Sequence, residues 1–265
     1  PTFVMGGVTG VMLAAAPADY QYHDSYFVVG HFHYTIVGGL VSGLFAGVHY
    51  WWPKIFGRQL NETLGKLTFW FFIIGFHMTF FVHHFLGLMG MQRRIFTYLD
   101  GMGFNEMNLI STIGAMLMGV GVICFLINVI VTTAKPATAA NDPWEDGRTL
   151  EWAISSPAPE YNFAQLPLIR GYDCYWKEKM EGNKTLQPAE PLGPIHMPSP
   201  SILPFIMSVG LFIAGFGFIY HQHIVAAIGL AITLICMFLR SVIEDHGFHI
   251  EPDEMKANAK EVKAS

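Results

Sequence analysis

The chain of 265 residues is 52% hydrophobic and only 13% charged, with a mean hydropathy of +0.38. This composition is typical of a polytopic membrane protein and excludes an ordinary water-soluble domain. The net charge of -5 gives no support for nucleic-acid binding. Cys124, Cys174 and Cys236 lie far apart without the spacing of metal ligands, so we expect neither disulfides nor a cysteine metal site.

The first half of the chain contains apolar runs long enough to cross a bilayer as helices. We predict an all-α fold, a polytopic transmembrane helix bundle, with a short polar connection over residues 17–23. Asp24 or Ser25 is the expected N-cap of the helix that carries His31 and His33. The predicted core, residues 1–133, comprises a partial span at 1–16 and full spans at 25–52, 65–88 and 107–133.

The second half begins with a long polar loop rich in proline, predicted over residues 134–200. A helical hairpin over residues 201–239 follows, joined at His221 and Gln222, and residues 240–265 form a charged tail. The chain starts at Pro1, inside an apolar segment and without an initiating Met. We therefore expect it to be the C-terminal part of a longer protein.

The positions of the basic residues predict the orientation. All lysines and arginines except Arg93 and Arg94 fall in residues 53–66, in the long loop or in the tail. Alternating spans place these three regions on one face, which the positive-inside rule makes cytoplasmic. Arg93 and Arg94 lie on the opposite face and need another explanation.

Two histidines in the segment His23-Asp24-Ser25-Tyr26-Phe27-Val28-Val29-Gly30-His31-Phe32-His33-Tyr34 are the sharpest functional signal. Ionisable side chains inside a span are costly and indicate a functional site. On a helix, residues two apart point about 200° apart, so His31 and His33 cannot ligate one metal but can each hold a different cofactor. The alternative is that both are core histidines with polar partners in a helix bundle.

The His23 to Tyr34 segment closely resembles the haem-ligand segment of the catalytic subunit of haem-copper oxidases, of the bacterial cytochrome c oxidase type. The resemblance covers roughly residues 3–165 and continues through further motifs. These are Met78-Thr79-Phe80-Phe81, His84-Phe85-Leu86-Gly87-Leu88, Met91-Gln92-Arg93-Arg94 and Leu150-Glu151-Trp152.

The resemblance implies two haems, expected to be a-type. His31 matches the ligand of the high-spin, oxygen-reducing haem iron, and His33 matches the ligand of the low-spin haem iron. Arg93 and Arg94 match an arginine pair that binds haem propionates, and Asp19 resembles an acidic residue near them.

His23 and Asp24 match a magnesium or manganese site that the family completes with a carboxylate of subunit II. Copper is also implied, with ligands outside this segment. The implied partners are subunits II and III, cytochrome c, O2 and the lipid bilayer. Asp24 favours cytochrome c as donor, since quinol-oxidising relatives often carry Asn there.

The resemblance implies a proton-translocating terminal oxidase that reduces O2 to water in a bacterial cell membrane. A quinol oxidase of the same superfamily, a di-haem electron carrier without oxygen chemistry and a transporter with intramembrane histidines are the alternatives. We interpret the remaining span and hairpin histidines as structural. We expect Gly38, Gly39 and Gly43 to let helices or a haem approach closely, and the 201–239 hairpin to lie outside the common core.

Overall fold

The computed structural model describes residues 1–167, 169, 171–182, 191–244 and 246–256. Parts of the predicted loop (183–190) and of the predicted tail (257–265) lie outside the described residues. The described chain is mostly helical, which confirms the all-α prediction. It forms two compact units, Pro1–Pro159 with Asp173–Lys177, and Glu160–Tyr172 with Glu178–Ser265.

The first unit contains the helices of the predicted core. They are α1 (Thr2–Ala14), α2 (Ala16–Tyr22), α3 (Tyr26–Thr35), a π-helical segment (Ile36–Val41), α4 (Ser42–Phe56), α5 (Glu62–Leu88) and α6 (Asn105–Thr133). A 3₁₀ turn (Leu150–Ala153) follows, and α7 (Cys174–Met180) begins in this unit.

The second unit is a helical hairpin flanked by two short strands. Its elements are β1 (Ile195–Met197), α8 (Leu203–Ile219), α9 (His223–Val242) and β2 (Phe248–Ile250). β1 pairs antiparallel with β2, so the strands join the chain on either side of the hairpin. This small sheet was not predicted.

Several of the described helices are long and apolar enough to cross a membrane. They are the continuous helix Tyr26–Phe56 of 31 residues, α5 of 27, α6 of 29 and α9 of 20. α8 has 17 residues, so it is about 26 Å long, slightly shorter than the ~30 Å hydrocarbon core of a bilayer.

Most of the predicted polar connection, residues 17–23, is helical, because α2 extends from Ala16 to Tyr22. Pro17 sits in its first turn, where proline needs no hydrogen-bond partner and its fixed φ suits a helix. Ala15 has an extended backbone between α1 and α2, and the two helices are bent by 104° relative to each other.

Helix α5 starts three residues before the predicted Gly65, because Asn61 caps it. The Asn61 side chain accepts a hydrogen bond from the backbone N–H of Leu64 at 3.0 Å. Asn128 of α6, which is fully buried, holds this cap: its Oδ1 accepts from Asn61 N at 2.8 Å, and its Nδ2 donates to Asn61 O at 3.0 Å. One α6 side chain thus fixes the start of α5.

Close helix contacts depend on glycines. A Cβ on Gly75 of α5 would lie 2.6 Å from the Gly114 carbonyl of α6, and a Cβ on Gly87 would overlap the Phe27 backbone of α3. Gly38 and Gly39 also face α1, through Thr2 and Phe3, whereas Gly43 has open space around it. Helices approach closely at Gly38 and Gly39, and for Gly43 the expectation of a close approach by a helix or a haem stays a prediction.

A buried lysine fastens the predicted loop to the end of the histidine-bearing helix. Lys54, only 7% exposed, donates through Nζ to the carbonyls of Ile154 at 2.5 Å and Ser155 at 3.2 Å. The ammonium also lies 5.5 Å from the centre of the fully buried Trp152 ring. The backbone of Ala158 donates to Lys54 O at 3.0 Å, so both parts of this residue hold the loop.

We predict that Lys54→Met loosens this loop while keeping the apolar stem. The buried carbonyl of Ile154 and the partly buried carbonyl of Ser155 lose their donor, which costs about 1–3 kcal/mol. Limited proteolysis of residues 137–159, with a protease that does not cut at lysine, should become about tenfold faster or more. The matched control is Lys66→Met, since Lys66 is exposed and forms a surface ion pair with Glu62 at 3.3 Å. Equal cleavage rates in the two variants would contradict the fastening role.

Candidate functional site

His31 is oriented by helix α1. Its Nδ1 lies 2.8 Å from the Gly6 carbonyl oxygen, which can only accept, so Nδ1 carries the proton. The Thr9 hydroxyl donates to the same oxygen at 3.0 Å. A Cβ on Gly10 would lie 2.8 Å from His31 Cε1, so glycine leaves room for the ring. In the neutral ring this tautomer leaves the lone pair on Nε2, which can ligate a metal.

His33 faces a different neighbour. Its Nδ1 donates to the Val29 carbonyl one turn earlier at 2.8 Å, which again leaves the lone pair on Nε2. Its ring stacks on Phe80 of α5, with centres 4.0 Å apart and planes 11° apart. One histidine thus contacts α1 and the other α5, as the helical spacing predicts.

The same local hydrogen bond occurs at another histidine. His49 Nδ1 donates to the Phe45 carbonyl at 2.8 Å, also one turn earlier. An Nδ1 bond to the backbone is therefore compatible with a metal ligand but does not identify one. The pairing of two such rings on opposite sides of one helix is what distinguishes His31 and His33.

Ser25 caps the helix that carries both histidines. Its hydroxyl oxygen accepts from Phe27 N at 3.2 Å and donates to the Tyr22 carbonyl at 2.7 Å. Ser25 is also bridged to Gln92 in antiparallel fashion, and Tyr26 N donates to Met91 O at 2.9 Å. The connection between α5 and α6 is thereby held against the start of the helix.

This bridge places Arg93 beside three predicted site residues of the segment that precedes the helix. His23 lies between two carboxylates, with Nδ1 3.8 Å from Asp19 Oδ2 and Nε2 3.4 Å from Asp24 Oδ2. Arg93 N donates to Asp24 O at 2.9 Å, and Arg93 Nε lies 2.7 Å from Asp24 Oδ1. The side-chain contact is an ion pair by distance, although the Nε–H direction does not make a hydrogen bond.

Two residues at this end adopt left-handed backbone conformations. Asp24 has φ 53° and Arg94 has φ 66°. The turn at Asp24 redirects the chain from α2 into the histidine-bearing helix, and Asp tolerates this region better than most residues. Arg94 is exposed, while the Arg93 side chain is 26% exposed. The adjacent arginines thus have different surroundings.

His23 and Asp24 suit two neighbouring ligand positions of one hard or borderline cation. Metal–ligand bonds of about 2.1 Å at right angles need donor atoms about 3 Å apart, close to the observed 3.4 Å. The described part of the chain contains no group of three or more potential ligands, so water or another chain would complete the shell.

Other histidines in this unit have hydrogen-bonding partners on neighbouring helices. His77 Nδ1 lies 2.7 Å from the Tyr34 hydroxyl, and His83 Nε2 lies 2.9 Å from the Ser111 hydroxyl. These contacts join α3 to α5 and α5 to α6, consistent with the structural interpretation of these residues.

The sequence did not reveal the residues that orient the two rings. Gly6 and Phe80 contact His31 and His33 through the fold, from positions far along the chain. The T-G-V-M-L pattern around Thr9 and Gly10 was available, but nothing in it shows which residue it would face.

Comparisons with known proteins assign the chain to a family. Residues 1–117 match the family model described as "Cytochrome C and Quinol oxidase polypeptide I". The chain is 66% identical over 260 residues to cytochrome c oxidase subunit 1 of Bacillus sp. strain PS3, covering 96% of this chain and 42% of that protein. The chain belongs to the haem-copper oxidase subunit I family.

Further relatives include both branches of this family. Cytochrome c oxidase subunit 1 of Bacillus subtilis is 60% identical, covering 100% of this chain and 43% of that protein. Quinol oxidase subunit 1 of Bacillus subtilis is 47% identical, covering 99% of this chain and 40% of that protein. The haem-copper oxidase chain thus spans about two fifths of the length of these relatives.

A solved structure of a heme-copper terminal oxidase dimer aligns over 51% of this chain and 25% of that chain, at 26% identity and a TM-score of 0.46. Together, the apolar helices and the sequence relatives show that this haem-copper oxidase chain is a multi-pass membrane protein.

Proposed function

We propose that this chain forms part of the catalytic subunit of a respiratory terminal oxidase, which reduces O2 to water with electrons from cytochrome c and couples this to proton translocation. The observation that carries the proposal is the pair His31 and His33, which face different neighbours and each donate Nδ1–H to a backbone carbonyl, so that Nε2 is the ligating nitrogen of the neutral ring. Two cofactors bound by one helix are what an electron-transfer relay requires.

The residues present fit haem ligation. His31 would hold the iron of a high-spin haem through Nε2, and His33 would hold the iron of a low-spin haem through Nε2. Haem supplies the redox-active iron in both places and, at the high-spin position, the site where O2 binds. We propose that the haems are a-type and that the copper ligands lie outside this chain.

The protein's part in this scheme is orientation. The Gly6 carbonyl fixes the tautomer and the ring direction of His31, and a carbonyl acceptor also raises the basicity of the ligating nitrogen. The Val29 carbonyl does the same for His33, and stacking on Phe80 fixes the plane of that ring. Both ligands are therefore preorganised by helix packing.

Arg93, Arg94 and Asp19 are proposed to lie beside the haem propionates at the outer end of the helix. Guanidinium groups pair with carboxylates through charge-assisted hydrogen bonds, and they stay charged at all physiological pH values. Arg93 is already held at this end by the bridge between Ser25 and Gln92. This role would explain why Arg93 and Arg94 lie on the membrane face opposite to the one predicted for all other lysines and arginines.

We further propose that the subunit works with subunits II and III in a bacterial plasma membrane. The long loop and the C-terminal tail then face the cytoplasm, because they carry most of the basic residues. Cytochrome c is favoured as donor over quinol, since the relatives named cytochrome c oxidase subunit 1 are 60–66% identical and the Bacillus subtilis quinol oxidase relative is 47% identical.

A spectrum of the assembled oxidase tests the proposal. Reduced-minus-oxidised spectra with and without carbon monoxide should show one haem that binds the gas and one that does not. Two haems that both exclude carbon monoxide would indicate a di-haem electron carrier. A complex without haem would indicate a transporter, and either result would overturn the proposal.

We predict that the two histidines control separate haems in the assembled oxidase. His33→Ala should remove the low-spin signal, and His31→Ala should remove the carbon-monoxide-binding signal, because the rings point to opposite sides. The measurement is the same pair of difference spectra, with His49→Ala as the matched control. If both variants lost one and the same haem, the assignment would be wrong.

We predict that Arg93→Met and Arg94→Met lower the haem potentials. Removing a nearby positive charge destabilises the reduced, more negative haem, by on the order of 1 kcal/mol or some tens of millivolts. Redox titration of both haems measures the effect. Arg58→Met, at the other end of the helix, is the control and should leave the potentials unchanged. Unchanged potentials in both test variants would contradict the propionate role.

We predict that Asp24→Asn releases manganese from the outer end of the helix. A neutral amide binds a divalent cation more weakly than a carboxylate, so occupancy should fall at least tenfold. Manganese is supplied during growth, and the bound paramagnetic signal is measured by electron paramagnetic resonance in the intact complex.

The control for the manganese prediction is Asp100→Asn, because Asp100 is an exposed acidic residue of the same outer connection. Both haem signals should persist in the two variants. If Asp24→Asn bound as much manganese as the parent, His23 and Asp24 would be only a turn before the helix.

A further inference from the structure

Two histidines face each other across the small sheet of the second unit. His196 of β1 is directly opposite His249 of β2 in the antiparallel register. Their ring centres are 4.9 Å apart, and the ring planes are inclined by 53°. Both residues are exposed, and neither belongs to the helices that carry the proposed haem ligands.

Residues directly opposite each other in an antiparallel pair project to the same face, with Cβ atoms about 4.5–5.5 Å apart. A zinc-class ion with bonds of about 2.0–2.1 Å to two imidazoles needs nitrogen atoms about 3.3 Å apart. Rings centred 4.9 Å apart reach that separation by small side-chain rotations. The inclined planes also distinguish this arrangement from simple ring stacking.

Gly247 keeps the His196 ring close to β2. It precedes the strand with φ 61°, and a Cβ at this position would overlap the His196 ring atoms. Only glycine both adopts this backbone conformation readily and leaves space for the ring. The turn into β2 is therefore shaped to hold the His196 ring beside the strand that carries His249.

The charges around the sheet favour a cation. Exposed acidic residues flank β2 on both sides: Glu244 before it, and Glu251, Asp253 and Glu254 after it. The described residues include no group of three or more potential metal ligands, so two imidazoles would be the protein ligands and water would fill the other positions. Imidazole suits zinc, copper and nickel, whereas magnesium and calcium prefer oxygen ligands.

We propose that His196 and His249 form a two-histidine site for a divalent transition-metal ion of the zinc class. β1 precedes α8 and β2 follows α9, so the ion cross-links the chain where it enters and leaves the helical hairpin. A cross-link that closes a long loop stabilises the closed arrangement. Because ligation needs neutral imidazoles, zinc binding weakens as the pH falls.

The test measures zinc binding to the whole assembled complex after treatment with a chelator. Equilibrium dialysis with Zn²⁺ is compared between the parent, His196→Ala and His249→Ala, each checked for intact haem spectra. At a zinc concentration tenfold above the parent's Kd for this site, each variant should bind about one equivalent less zinc than the parent. A tenfold excess of Mg²⁺ should not displace the zinc.

His246→Ala is the matched control, because His246 is an exposed histidine of the same segment, 3.7 Å from Glu244. It should bind zinc as the parent does. Parental zinc binding in His196→Ala or His249→Ala would overturn the proposal, as would an equal loss in His246→Ala. If an alanine variant does not assemble, His196→Asn and His249→Asn replace it and must show the same loss.

Discussion

The helical repeat constrains everything at the site of this chain. Residues two apart on an α-helix point to nearly opposite sides, so the neighbours of His31 cannot be the neighbours of His33. The fold supplies a different helix on each side: α1 meets His31 through the Gly6 carbonyl, and α5 meets His33 through Phe80. Two separately oriented imidazoles on one rigid helix follow from this packing.

The N-terminal end of that helix concentrates charge in a small space. Asp24 contacts both His23 and Arg93, through different carboxylate oxygens. A cation bound by His23 and Asp24 would share the Asp24 carboxylate with the Arg93 guanidinium. A haem propionate bound by Arg93 would compete with the Asp24 carboxylate for the same guanidinium. The charges at this end are therefore coupled, and a change in the charge of Asp24 should alter the electrostatic surroundings of Arg93. Exposed ion pairs are individually weak, so exchanging the contact between Arg93 and Asp24 for one between Arg93 and a propionate costs little free energy.

Local sequence signals predicted the long apolar helices, and the spacing of His31 and His33 predicted that their rings point to different sides. Ser25 marks the start of the histidine-bearing helix because its own side chain caps it. The start of α5 was misplaced because Asn61 is supported by Asn128, which lies on the next helix. The strand pair was missed for a similar reason: His196 and His249 are opposite each other in the sheet although α8 and α9 separate them along the chain. Contacts between distant residues carry the information that a linear pattern lacks.

The central claim is that one helix of this subunit holds two irons on opposite sides. An experimental structure of the assembled, haem-containing oxidase measures it most directly. The account predicts that His31 Nε2 and His33 Nε2 each lie about 2 Å from a different haem iron. Both nitrogens on one iron, or either histidine without an iron, would contradict it.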